Sequence, residues 1–284
     1  MALNYSTGRS PHEAGFLRET ARQSRLLDLM LLAVVPAILV AVFLVPAGTR
    51  ETLVFEVGSP TLLTAYTSHF VHLSSVHLVG NLVIYLPVVG VAYLLCLLSG
   101  RRQLFVITFL TLLLAFPFAL SAMQLAFPQD RAILGFSGIN AGFVGLACFA
   151  LVSYVRVNLA GVDERYAPAL LFFTAGLIAL VALPSRGYRI EIGMAAIGLG
   201  LLYVGVAIYR HGFPTRATIV SAVDTPGYFE FAGVGVGLLV GYPFVAFQDA
   251  VVPGEGVVDV YVHLLGYSLA FIVVFSFVFL TDEL

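Results

Sequence analysis

The sequence predicts an all-α, polytopic membrane bundle, and three observations carry that prediction. Of its 284 residues, 60% are hydrophobic and only 11% are charged, whereas a soluble globule carries about 25% charged residues to keep its surface wet. The mean hydropathy is +1.00, so most of the surface must face lipid. Apolar stretches long enough to cross roughly 30 Å of hydrocarbon recur along the whole chain. They predict eight spans, at 26–47, 76–99, 103–127, 137–155, 167–184, 191–209, 229–248 and 259–281.

Each element follows from its local sequence. The tail 1–25, rich in Arg, Glu, Gln and Ser, is expected to move freely or lie on the membrane surface, with 26–284 forming one membrane domain. The first span follows Arg22 and Arg25 as a signal peptide would, but it is too long for a signal core and no small-residue cleavage site closes it. It reads as an anchored span. The span 167–184 is short and starts near Pro168. Of the loops, 48–75 holds Pro46 just before it, then Gly48, Gly58, Pro60 and several apolar residues, which predicts a segment dipping into the interface. The other long connection is 210–228.

Arginines set the expected orientation. With the N-terminus cytoplasmic, the inner segments hold Arg9, Arg18, Arg22, Arg25, Arg101, Arg102, Arg156, Arg165, Arg210 and Arg216, and the outer loops hold Arg50, Arg131, Arg186 and Arg189. Ten against four favours that direction. The net charge of −2 leaves no electrostatic footprint for nucleic acid as a partner. Every basic residue is Arg, which hints at a GC-rich or salt-adapted source, and a prokaryotic cell membrane is the expected location. Cys96 and Cys148 lie inside apolar runs and read as small core residues.

Polar side chains inside spans are costly and mark functional sites by default. Three groups stand out. The stretch HFVHLSSVHLVGN contains His69, His72, His77 and Asn81; His77 and Asn81, four apart, share one helix face near its outer end. The alternative is a set of histidines wetted at the interface or bonded to carbonyls. Neutral imidazole also binds zinc, but no HExxH and no nearby carboxylate supports a metal. The second group is Gly135-Phe136-Ser137-Gly138 at the outer start of the fourth span, where free N–H groups stabilise negative charge. Gly138, Gly142 and Gly145 continue at helical spacing as a smooth packing face. By itself the group is a weak signal, and an N-cap serine beside a packing stripe of glycines is the stronger reading. The third is His263, one turn into the last span and followed by Gly266. On the expected topology these helices all run inward, which sets the three groups at one level.

A serine hydroxyl needs a base before it attacks, and His263 is the natural one. The backbone N–H of Ser137 with the side chains of His77 and Asn81 would supply donors for a tetrahedral oxyanion. The ordered pattern His-x4-His-x3-Asn, Gly-x-Ser-Gly and His-x2-Gly, met by His72, His77 and Asn81, by Gly135, Ser137 and Gly138, and by His263 and Gly266, resembles the rhomboid family of intramembrane serine proteases. The similarity covers roughly 26–155 and 259–281. It implies a rhomboid-like core, Ser137 as nucleophile, His263 as general base, His77 and Asn81 in the oxyanion hole and His72 in support. It also implies transmembrane protein substrates cut near the membrane surface, with no metal or cofactor.

The chain departs from that family in several places. Three spans separate the serine and histidine helices where the six-helix core has one. No tryptophan exists for the family's Trp-Arg signature. Ala141 stands where an aromatic often underlies the base, Val262 where alanine is usual and Val258 where a packing glycine is usual. Asp259, four before His263, is a candidate to orient it; the alternative is a carboxylate favoured by the helix start. Pro253, Gly254 and Gly256 make 249–258 a candidate flexible cap. Two other readings stay open: a rhomboid-like pseudoprotease that binds or escorts membrane proteins, and a polytopic transporter.

Overall fold

A computed structural model describes residues 15–126, 134–183, 188–212, 215–224, 226–247 and 260–282. In chain order it forms α1 (Phe16–Gln23), α2 (Leu26–Phe43), α3 (Ala47–Glu51), α4 (Leu62–Thr67), α5 (Ser75–Leu98), α6 (Arg102–Leu114), α7 (Phe116–Ala126) and α8 (Ser137–Val155). After it come α9 (Pro168–Ala182), α10 (Arg189–His211), α11 (Arg216–Val223), α12 (Tyr228–Ala246) and α13 (Val260–Asp282). The described residues form a helical bundle, as expected.

α8 is its axis: every residue from Gly138 to Tyr154 is buried. The sequence SGINAGFVGLACFA suits that position because its small residues admit neighbours on all sides. α5, α6, α12 and α13 pack around it. Gly142 receives Leu112 and Phe116, and Gly145 receives the backbone of Tyr267 and Phe271. Both cysteines are buried free thiols.

Among the described residues seven helices are long and apolar enough to cross a membrane. The expected span 103–127 differs: α6 and α7 meet at 47°, so an eighth crossing exists only if the pair is taken as one. The cause is local. Pro117, near the start of α7, lacks the N–H that would continue the α6 ladder, and its ring crowds the preceding turn. α7 instead packs beneath α4, with Tyr66 and Phe118 ring centroids 5.5 Å apart.

Among the described residues three helices of spanning length, α9, α10 and α12, lie between α8 and α13. α9 and α10 form a hairpin sealed by glycines, since a Cβ at Gly176 would fall 2.9 Å from the carbonyl oxygen of Gly193. α12 returns to the bundle, where Gly235 accepts Leu151 and Leu95.

At the end opposite the serine, two carboxylates anchor the bundle. Asp28 on α2 accepts from Arg102 Nε at 2.8 Å and Tyr93 Oη at 2.9 Å. Glu164 takes Arg101 at 2.6 Å and Arg156 at 2.8 Å. The connection 210–228 contains the short helix α11. In the segment 48–75, Ser68, His69, Phe70, Val71 and His72 are all buried.

Candidate functional site

Ser137, His77, Asn81 and His263 lie at one end of the bundle, in the first two turns of α8, α5 and α13, with His72 in the loop just before α5. Ser74 caps α5 by accepting the backbone N–H of His77 at 3.2 Å. This starts the helix just before the histidine and leaves Asn81 one turn further in. α8 begins at Ser137 itself; its N-cap is Phe136, which makes no side-chain cap. Ser137 is therefore the first helical residue, and the N-cap reading of its hydroxyl does not hold.

Glycines set the contacts. Gly135 has φ +103°, a region that L side chains rarely adopt. The His77 ring lies directly over it: a Cβ there would fall 2.6 Å from ring Cε1 and 2.8 Å from Nε2. The same turn is tied to the long loop, because Gly135 N–H donates to the Ser68 carbonyl at 2.9 Å. Gly138 makes room for Val262, whose Cγ1 would lie 3.1 Å from a Cβ at that position. Gly266 goes further, since a Cβ there would collide with the carbonyl oxygen of Gly138. α8 and α13 are thus in direct backbone contact beside Ser137 and His263, with no helix between them.

His263 is 4% exposed, and an aromatic packs against it. Phe247, just past α12, meets its ring at a centroid distance of 5.3 Å and an interplanar angle of 67°. Tyr242 packs in turn on Phe247 at 6.2 Å. Ala141 on α8 has no ring to offer His263, whereas Phe247, at the end of α12, does. Asp259, Val258 and the stretch 249–258 lie outside the described residues.

The histidine cluster divides by role. His72 is buried and meets His77 edge to face at 4.9 Å. Burial, followed by the neighbouring His77, holds its pKa below the ordinary imidazole value. His69 is bonded elsewhere, to Ser121 Oγ at 3.0 Å. Ser121 gives its own proton to the Ala65 carbonyl at 2.7 Å, so His69 Nε2 is the donor in that pair. It pins the loop to α7. Among the described residues no group of three His, Cys, Asp or Glu side chains could hold a metal ion.

Asn81 is tied more closely than the sequence suggests. Its Nδ2 donates to the His77 carbonyl at 3.0 Å, and its Oδ1 accepts from Asn140 at 3.3 Å. An amide nitrogen carries two N–H groups, so that bond to His77 leaves one for another acceptor.

Three residues of this region escaped sequence reasoning. Asn140 is a polar residue one turn into a span, and the rule that singled out Asn81 would have found it. Arg50 was legible only as a lone loop cation; it is buried, donates to the His72 carbonyl and lies over the Phe43 ring at 4.6 Å. Phe247 had no local signal at all. Comparisons with protein-family models, with curated proteins and with solved structures find no match.

Proposed function

We propose that this protein is an intramembrane serine endopeptidase of the rhomboid type, with Ser137 as nucleophile and His263 as general base. The observation that carries the reading is the contact of Gly266 with the Gly138 carbonyl. It supports a dyad because each glycine lies within three residues of the proposed partner on its helix. The ring of His77 over Gly135 and that of Phe247 against His263 support the same assignment.

The chemistry follows from these groups. His263 takes the Ser137 proton as Oγ adds to the scissile carbonyl carbon. The oxyanion is met by the Ser137 backbone N–H and the side chains of His77 and Asn81. The imidazolium then gives its proton to the departing amine as the C–N bond breaks, leaving an acyl-serine. Water, deprotonated by His263, then adds to the acyl carbon, and the imidazolium returns that proton to Oγ as the C–Oγ bond breaks, releasing the acid and restoring Ser137. The scheme uses no metal or cofactor. Substrates are transmembrane helices of other proteins, reached from the bilayer. The N-terminus is cytoplasmic, and the site lies near the outer surface of a cell membrane. The α9–α10 hairpin is the pair added to a six-helix core. A pseudoprotease fits less well because both members of the dyad are present.

The test compares wild type, Ser137→Ala and His263→Ala in detergent or liposomes, with a generic transmembrane substrate and a fluorophosphonate probe. Labelling of Ser137, with cleavage lost in both variants, is expected. Cleavage surviving in either variant rejects the dyad, and an inert wild type turns the reading toward a binding protein.

A further inference from the structure

Asn140 lies on α8 three residues after Ser137 and is 1% exposed. Its Nδ2 reaches across to α5, where it meets the Asn81 carbonyl at 3.1 Å and Asn81 Oδ1 at 3.3 Å. Both partners are acceptors only, so the Asn140 amide has one workable orientation: its nitrogen must face Asn81. Its Oδ1 then points elsewhere, and among the described residues this buried oxygen meets no donor. An orphaned buried acceptor is costly. Its persistence indicates that what the nitrogen does outweighs that cost.

The consequence falls on Asn81. With Oδ1 held by Asn140, the Asn81 amide is barred from flipping, and its Nδ2 stays on the side of the His77 carbonyl. Two directed links thus run from α8 through Asn81 to the helix turn that bears His77. We infer that Asn140 is a positioning residue, which fixes the donor edge of Asn81 and the register of α5 against α8 at the oxyanion side of the site. This rests on the serine-hydrolase reading above. It gives Asn140 no contact with substrate.

The test measures the rate of fluorophosphonate labelling at Ser137 against pH, alongside thermal unfolding, for wild type, Asn140→Leu and Asn140→Asp. Leucine keeps the volume and removes the donor. Aspartic acid donates when protonated and presents only acceptors to Asn81 when ionised. Asn140→Leu should label at least about tenfold more slowly, because outright loss of an oxyanion donor costs on the order of 10²–10³ in rate. Asn140→Asp should approach the wild-type rate at low pH and fall away from it as pH rises, an added ionisation that a purely structural role would not produce. Wild-type labelling by Asn140→Leu overturns the inference. So does a wild-type pH profile in Asn140→Asp, which decides the matter if the leucine variant does not fold. A wild type that does not label at Ser137 overturns the underlying reading as well, and that outcome is distinct from labelling that the Asn140 variants leave unchanged.

Discussion

The imidazole of His77 rests on the α-carbon of Gly135, at a spot where a Cβ would fall 2.6 Å from the ring. Two independent constraints therefore demand glycine there, the space and the φ of +103°. Gly135→Ala is expected to cost about 1–3 kcal/mol of stability from strain and overpacking. It should also displace His77 and slow Ser137 labelling. Thermal unfolding and labelling rates measured on the same preparation check both effects; an unperturbed variant would show that the ring yields freely.

The Phe247 ring packs against the imidazole of His263 at a centroid distance of 5.3 Å. Phe247→Leu retains much of the volume while removing the ring. If the ring orients the base, cleavage should fall about tenfold or more, since small misplacements of a catalytic group are expensive, while the unfolding temperature moves little. Phe247→Ala should lose both activity and about 3–5 kcal/mol of stability. Equal activity in the leucine variant and wild type would relegate Phe247 to packing.

Gly266 faces backbone, which cannot rotate away as a side chain can. Gly266→Ala is expected to push α13 from α8, costing about 1–3 kcal/mol and abolishing cleavage through separation of Ser137 from His263. Crosslinking of cysteines introduced at the distant ends of the two helices would read the displacement directly.

His69 and His72 predict an acid limb in stability. Burial takes both from an ordinary 6.5 to about 4. Between those values the unfolded chain binds protons that the folded chain does not, so unfolding becomes easier. Stability should be complete above the unfolded value and decline as pH falls toward the folded one. Unfolding followed across that range should show a shallower decline in His72→Gln. An identical slope would mean that this imidazole does not contribute.

Glu164, 4% exposed, holds two arginines of unlike burial, with side-chain exposures of 21% for Arg101 and 49% for Arg156. Replacing the carboxylate by Glu164→Gln removes the buried negative charge that both arginines share and should cost about 3 kcal/mol. Arg156→Ala removes a solvent-screened partner and should cost no more than about 1 kcal/mol. Denaturation of the two variants in the same detergent checks the ordering.

Much of the bundle could be read from the chain because hydrophobic length is a local property. The helices of α2, α5, α8, α10, α12 and α13 fall within a few residues of the apolar runs that announced them. The bend between α6 and α7 was less legible: the run is continuously apolar, and only Pro117 hints at a break that packing under α4 makes permanent. Within the site, Gly135, Gly138 and Gly266 were legible as points of close approach through their spacing from Ser137 and His263. Their actual neighbours were not, because which side chain fills the space beside a glycine depends on helices far away in sequence. Phe247 shows this most clearly. The motif-based expectation looked for an aromatic four residues from the serine and found Ala141, while the ring arrived from a helix end more than a hundred residues later.

The bend after Leu114 also bears on the surrounding lipid. α6 has 13 residues, a rise of about 20 Å at 1.5 Å per residue, well short of the roughly 30 Å of a typical hydrocarbon slab. Were α6 alone to cross there, acyl chains alongside it would have less wall to cover, and a slab that shrinks to match is the usual response to such mismatch. Gly142 marks the height of the bend by receiving Leu112 and Phe116, and Ser137 lies about 7.5 Å from it along α8. A slab thinned on that flank would bring the aqueous phase down toward the hydroxyl, which would otherwise have to be served through greasy depth.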